Sequence, residues 1–413
     1  MNQLIYIPAV SVGALFAAMK NNLTFRNGKT VRFYHRDFFE DIRYPYFLIT
    51  GGHYYKKPSI VQEVGLRDSG DEFIFGDSGG FQIATGAIKY NEDVKIEIFN
   101  WLENNSTVAA NLDIPPFGTY GFKDALDISL INFEYFATNQ SGKTKYLNVL
   151  QGKNLPEMLI WYNEVKHYKF DGWAINVKGN SFEKILCAMS ILLENKEFNS
   201  NSLRYLHFFG TSKIDDVILI SELQHNFNKN GLNVQITIDS SSPNSSRFGS
   251  YYYGYNFKTN IFNTLHYPKI DNEKESHELF PKHTLGDYKQ EIQELTNIFI
   301  QNPSNPFDKY LPELFSIENV LEWNTTINSL VTIHNIYEIV QLVKNVNTII
   351  KYPSYIKQQL FSADVISILR LLPLILFSTD ASPIEKFKEY QYTLHKLSRN
   401  APISNNTSLN KFF

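Results

Sequence analysis

Cysteine is almost absent: Cys187 stands alone in 413 residues. One thiol excludes an intrachain disulfide and any zinc site built on several cysteines, and it fits a reducing cytosol. Charge of either sign is not in excess. The formal net charge is −3, so a polyanionic partner has to be met by a local basic patch rather than by an overall field. No uninterrupted apolar run reaches the roughly 18 residues of a membrane span. The apolar start, MNQLIYIPAVSVGALFAAMK, lacks a basic opening and is broken by Pro8, so it reads as a core strand and a packed helix rather than a signal peptide. No HExxH and no GxxxxGK is present, and no internal repeat is visible.

What is present is ordinary for a globular enzyme: 43% hydrophobic and 20% charged residues. Between residues 46 and 240 short β-rich runs recur, YFLITGG, EFIFGD, VAANLDIP, KYLNVLQG, GWAINV, LRYLHFFG and VQITIDSS. Most are continuously apolar, as strands buried on both faces are. Segments of helical length, such as DVKIEIFNWLENN and SFEKILCAMSILLEN, separate them. This alternation predicts a parallel sheet. Seven units plus one more strand predict a TIM (β/α)8 barrel, with an open doubly wound sheet as the alternative. Two regions are expected: residues 1–275 as the barrel, and residues 276–413 as a helical region that packs on it. In the second, Ser382-Pro383-Ile384-Glu385 reads as a capping box with proline at the first helical position.

Several runs end in a polar residue: Asp77 after FIFG, Asp113 after AANL, Gln151 after NVL, Asn176 after WAI and Asp239 after ITI. In a parallel barrel all the C-terminal strand ends share the face that carries the active site, so these groups would converge. A strand-ending aspartate can also simply cap the helix that follows. Two aspartates flanking a glycosidic carbon can serve as nucleophile and general acid/base. The third carboxylate and the amides can read the edge of a planar base, and Phe81 can stack on its face. Gly79 and Gly80 would let the backbone approach such a ligand closely. No histidine stands at these strand ends, so a histidine-based triad is not expected.

DSGGFQ at the end of an apolar strand resembles the signature of the tRNA-guanine transglycosylases, which exchange guanine for a 7-deazaguanine. FLITGGHYY, NLDIPP, LNVLQG, FDGWAIN, RYLHFFG and ITIDSSSP follow in the order of that family, and the resemblance covers roughly residues 45–250. It implies a TIM barrel without a cofactor. It implies Asp77 as general acid/base, Asp239 as nucleophile, Ser78, Asp113 and Gln151 on the base edge, and Phe81 as the stacking ring. A covalent glycosyl-enzyme intermediate would form on Asp239.

The chain also departs from the tRNA enzymes. Those carry a zinc site of three cysteines and one histidine, which a single cysteine cannot build, so no metal is expected; Cys187, within KILCAMSILL, reads as core. Asn176-Val177-Lys178 replaces a Gly-Gly-Leu of the base pocket. His207 stands where those enzymes have an apolar side chain. The loop after Asp239, SSSPNSSRFGSYYYGYNF, carries only Arg247, and its aromatics either stack on unpaired bases or form the eighth strand and pack on the helical region. A zinc-less relative with a changed loop resembles the DNA-guanine transglycosylases, which insert 7-deazaguanines such as preQ0 into DNA. That likeness implies DNA as the partner, with tRNA or a non-catalytic nucleic-acid-binding role as alternatives. Lys56, Lys57, Lys178 and Arg247 are the phosphate-contact candidates, and a helper protein that opens or presents DNA would fit the low net charge.

Overall fold

A computed structural model of the chain describes residues 2–22, 29–177, 181–244, 250–266 and 323–400. Eight strands carry the apolar runs: β1 (Ile5–Pro8), β2 (Tyr46–Thr50), β3 (Phe73–Asp77), β4 (Val108–Ala110), β5 (Lys145–Leu150), β6 (Gly172–Asn176), β7 (Arg204–Phe209) and β8 (Val234–Ser240). They form one sheet in the order β1-β8-β7-β6-β5-β4-β3-β2, and every neighbouring pair is parallel. β1 and β2 lie side by side at the seam. There the Tyr44 hydroxyl donates to the Tyr6 carbonyl at 2.6 Å. The fold is a TIM (β/α)8 barrel.

Helices alternate with the strands: α1 (Ala14–Lys20), α2 (Gly51–Tyr54), α3 (Ile60–Glu63), α4 (Gly80–Ala84), α5 (Glu92–Asn105), α6 (Phe122–Asn139), α7 (Leu155–Val165), α8 (Ser181–Glu194) and α9 (Ile214–Lys229). Local chemistry starts several of them. Asn91 and Asn154 accept from the backbone N–H three residues on, capping α5 and α7. Cys187 lies buried in α8, and burial pushes its thiol up to about 12, so it is a packed thiol and not a thiolate.

Aromatic rings fill the barrel in layers. Phe73 and Tyr205 face one another near the bottom, with ring centroids 6.4 Å apart. One layer higher, Phe75 stacks on His207 at 3.9 Å and meets Phe209 edge-on at 5.8 Å. Alternation along β3 then brings Asp77 to the mouth above this plug.

The eighth barrel strand is β1, from the N-terminus, and not the tyrosine-rich segment. That segment forms β9 (Ser250–Asn256), which pairs antiparallel with β10 (Ile261–His266) in a separate hairpin. The hairpin is seated on α10 (Trp323–Ile349). Asn335 Oδ1 accepts from the Tyr252 N–H at 3.0 Å, Glu338 Oε2 accepts from the Gly254 N–H at 3.0 Å, and His334 Nε2 donates to the Tyr252 carbonyl at 2.7 Å. One helix face thus satisfies backbone groups that a strand edge leaves open.

The chain continues through α11 (Ser354–Leu360), α12 (Ala363–Leu376) and α13 (Pro383–Asn400). α10 packs on α1, α9 and β1, α12 on α8 and α9, and α13 on α8, so these helices share one hydrophobic core with the barrel. The capping box forms: Glu385 N donates to Ser382 Oγ at 3.3 Å, and Ser382 N donates to Glu385 Oε2 at 3.1 Å. The expected boundary near residue 275 lies outside the described residues. Among the described residues no helix is long and apolar enough to cross a membrane.

Candidate active site

The register of β3 against β2 puts Thr50 beside Asp77, and the Thr50 hydroxyl donates to Asp77 Oδ2 at 3.1 Å. Neither Asp77 nor Asp113 is a helix cap. The N-cap of α4 is Gly79 and that of α6 is Gly121, and neither makes a side-chain cap bond. The carboxyl of Asp77 is pushed up to about 6. Burial is the larger cause and the charge of Asp239 the next, while donors from Thr50 and the Gly79 backbone oppose them. Asp239, near the end of β8, is therefore close enough to repel a charge on Asp77.

Asp113 follows β4 and is buried. Gln151, just past β5, donates from Nε2 to Asp113 Oδ2 at 2.7 Å. Burial pushes the Asp113 carboxyl up to about 7 against the pull of that donor, and the charge of Asp77 adds to the rise. Three carboxyls thus interact in sequence across the mouth, Asp239 with Asp77 and Asp77 with Asp113. A low-dielectric mouth holds all three ionised only at a cost, so Asp77 and Asp113 keep their protons to higher pH than ordinary carboxyls do.

Ser78 is buried, and its hydroxyl donates to the Asn111 carbonyl at 3.1 Å, leaving its lone pairs to accept. Gly79 has φ +92° and touches Gly52: a Cβ would fall 2.5 Å from the Gly52 Cα. A Cβ on Gly80 would fall 1.9 Å from the Asp113 carbonyl oxygen. The glycines are thus required by contacts within the protein, where the sequence had suggested room for a ligand. They lock the loop after β3 against the loops after β2 and β4. Phe81 is 37% exposed on α4, and its ring lies 5.2 Å from that of Phe117, itself 40% exposed. Both rings are open to solvent and tilted 36° to one another, and an exposed aromatic face is a surface on which a flat ligand can stack. Gln82 Nε2 lies 3.3 Å from His53 Nε2, which ties the rim after β3 to the rim after β2.

Asp239 is buried near the end of β8. Its Oδ1 accepts from the Gly210 N–H at 2.9 Å and lies 3.2 Å from His207 Nε2. His207 is fully buried, and its Nδ1 lies 2.8 Å from Thr237 Oγ1. Burial lowers its pKa against the pull of Asp239, which favours the neutral ring.

Asn176 ends β6 on the same face, half-buried. Lys56 and Lys57 lie exposed just after α2, with the Lys56 ammonium 5.4 Å from the Tyr55 ring centroid. Lys178 and Arg247 lie outside the described residues. Among the described residues no group of three or more His, Cys, Asp or Glu side chains is placed to hold a metal ion. Sequence reasoning passed over Thr50, Phe117, Thr237 and the role of His207. Thr50 had a usable signal, since it ends the run YFLIT as Asp77 ends FIFGD. No protein-family model matches the chain, and no curated protein matches its sequence.

Proposed function

We propose that the chain is a transglycosylase that exchanges guanine in DNA for a 7-deazaguanine such as preQ0, through a covalent intermediate on Asp239. The observation that carries this reading is the interaction of two buried-mouth carboxyls, Asp77 and Asp239, with a hydrogen-bonded polar pair, Asp113 and Gln151, alongside. The resemblance of DSGGFQ and of the ordered strand-end segments to the guanine transglycosylases supports the same chemistry.

The residues divide the work as follows. Guanine offers two adjacent N–H donors on one edge, N1–H and the 2-amino group, and the Asp113 carboxylate accepts them. The Gln151 amide holds that carboxylate in place and has its own oxygen left for the ligand. Phe81, with Phe117, supports the ring face. Asp239 attacks C1′ as the C1′–N9 bond breaks, and its charge also stabilises the oxocarbenium character of the transition state. Asp77, protonated, gives its proton to the departing base. When a 7-deazaguanine replaces guanine, ionised Asp77 takes the N9 proton as N9 attacks C1′. Two inversions give retention. A carboxyl near 6 can perform both transfers close to neutral pH.

DNA is the favoured polymer because one cysteine cannot supply the three that the resemblance associates with the tRNA enzymes. A duplex guanine has to be flipped out, costing about a few kcal/mol, and a helper protein that opens DNA would lower that cost. The test is to incubate the protein with a labelled 7-deazaguanine and either DNA or tRNA, then digest to nucleosides. Label in a deoxynucleoside is expected. Label only in a ribonucleoside would move the substrate to tRNA. Label in neither would overturn the transglycosylase reading.

A further inference from the structure

We propose that His207 is a positioning residue for Asp239: held by Thr237, it pins Oδ1 of the carboxylate and leaves Oδ2 as the attacking oxygen. The inference rests on the transglycosylase reading and adds to it a component that the strand-end residues alone do not contain.

The hydrogen-bond roles follow from the chemistry of the groups. The Asp239 carboxylate can only accept, so a bond at 3.2 Å to His207 Nε2 requires Nε2 to carry the proton. Burial favours the neutral ring, in which Nδ1 is then an acceptor and the Thr237 hydroxyl 2.8 Å away its donor. His207 and Thr237 are register partners on β7 and β8, so strand pairing itself holds them together. The imidazole cannot swing aside. One face stacks on Phe75 at 3.9 Å and 24°, and Phe209 meets it edge-on at 4.5 Å and 79°.

Both donors that reach Asp239, His207 Nε2 and Gly210 N, act on the same oxygen. Oδ2 accepts no hydrogen bond from the described residues. An oxygen without donors keeps its electron density, and a carboxylate fixed in one rotamer presents that oxygen in one direction. In the reaction, Oδ2 forms the bond to C1′ as the C1′–N9 bond breaks. The electron pair leaves on N9 and takes the proton of Asp77. His207 keeps its proton throughout and bonds the ester carbonyl oxygen, Oδ1, in the intermediate.

The test compares wild type with His207→Met, His207→Gln and Thr237→Val in single-turnover formation of the covalent adduct, with thermal melts to check that each variant folds. Methionine fills the site without a donor, whereas glutamine restores an N–H. The expected result is a fall in the adduct rate of about ten- to a hundredfold in His207→Met at unchanged affinity for the DNA. Recovery to within about tenfold of wild type is expected in His207→Gln, with an intermediate value in Thr237→Val. A purely structural role would predict loss in step with the melting temperature and no rescue by glutamine. Nitrogen-15 NMR of the wild-type protein adds a readout that needs no turnover: His207 should be protonated on Nε2 and bare on Nδ1. The opposite tautomer overturns the proposal, and so does an unchanged adduct rate in a folded His207→Met. A wild-type protein that forms no adduct while showing the expected tautomer overturns the transglycosylase reading instead, and the catalytic consequence with it.

Discussion

Gln151 and Asp113 meet across neighbouring strands, with the Gln151 amide donating to Asp113 Oδ2 at 2.7 Å where burial pushes the carboxyl up to about 7. A base that offers two N–H donors requires the ionised form of that carboxyl. Base affinity should therefore weaken as pH falls below about 7, approaching tenfold per unit. Gln151→Leu removes the donor that opposes the rise and should move this limb to higher pH. Calorimetric titration of a 7-deazaguanine between pH 5 and 8, in about one-unit steps, checks both, and a flat profile would contradict the assignment of Asp113.

Asp77 and Asp239 are coupled, and removing one charge should be felt by the other. In Asp239→Asn the repulsion that helps hold Asp77 near 6 is lost, so the Asp77 carboxyl should titrate lower. Carbon-13 NMR of the labelled carboxyl measures this. An unchanged Asp77 titration would mean that the two groups do not share the mouth.

The same shift has a consequence for stability. Asp77 holds its proton more tightly folded than unfolded, so the stabilisation from that proton is complete below its ordinary value of 3.8 and is lost as pH rises through about 6. At pH 8 the ionised group is a liability that an amide lacks. Asp77→Asn should then stabilise the protein by on the order of 1–3 kcal/mol at about pH 8, with much less effect near pH 4, while base exchange falls at least about a hundredfold. Paired thermal melts and exchange assays follow the two effects in opposite directions.

Phe81 and Phe117 are exposed and contribute little to the core. Replacing either by alanine should leave the melting temperature within a few degrees of wild type and weaken base binding by about 1–3 kcal/mol, the range for base–aromatic stacking. Equal binding by the Phe81→Ala variant would remove the stacking role.

The barrel and the five polar strand ends at its mouth were legible because each strand is an apolar run with its polar residue at one end, and parallel pairing brings those ends together without further information. What stayed hidden depends on neighbours distant in sequence. Gly79 and Gly80 look like room for a ligand, yet they are set by Gly52 and Asp113, which only the folded loops bring close. The tyrosine cluster has the β-propensity of a barrel strand. The side chains of Asn335 and Glu338, more than eighty positions on, hold it as a hairpin instead. His207 reads as an oddity in an apolar strand, and its meaning lies in Thr237 and Asp239 on the next strand.

The most direct measurement is the covalent intermediate itself. Guanine-containing DNA, labelled and incubated with the protein, should give a protein-linked band on a denaturing gel for wild type, removed by added 7-deazaguanine and absent in Asp239→Asn. A band that persists in Asp239→Asn would contradict the account by placing the nucleophile elsewhere.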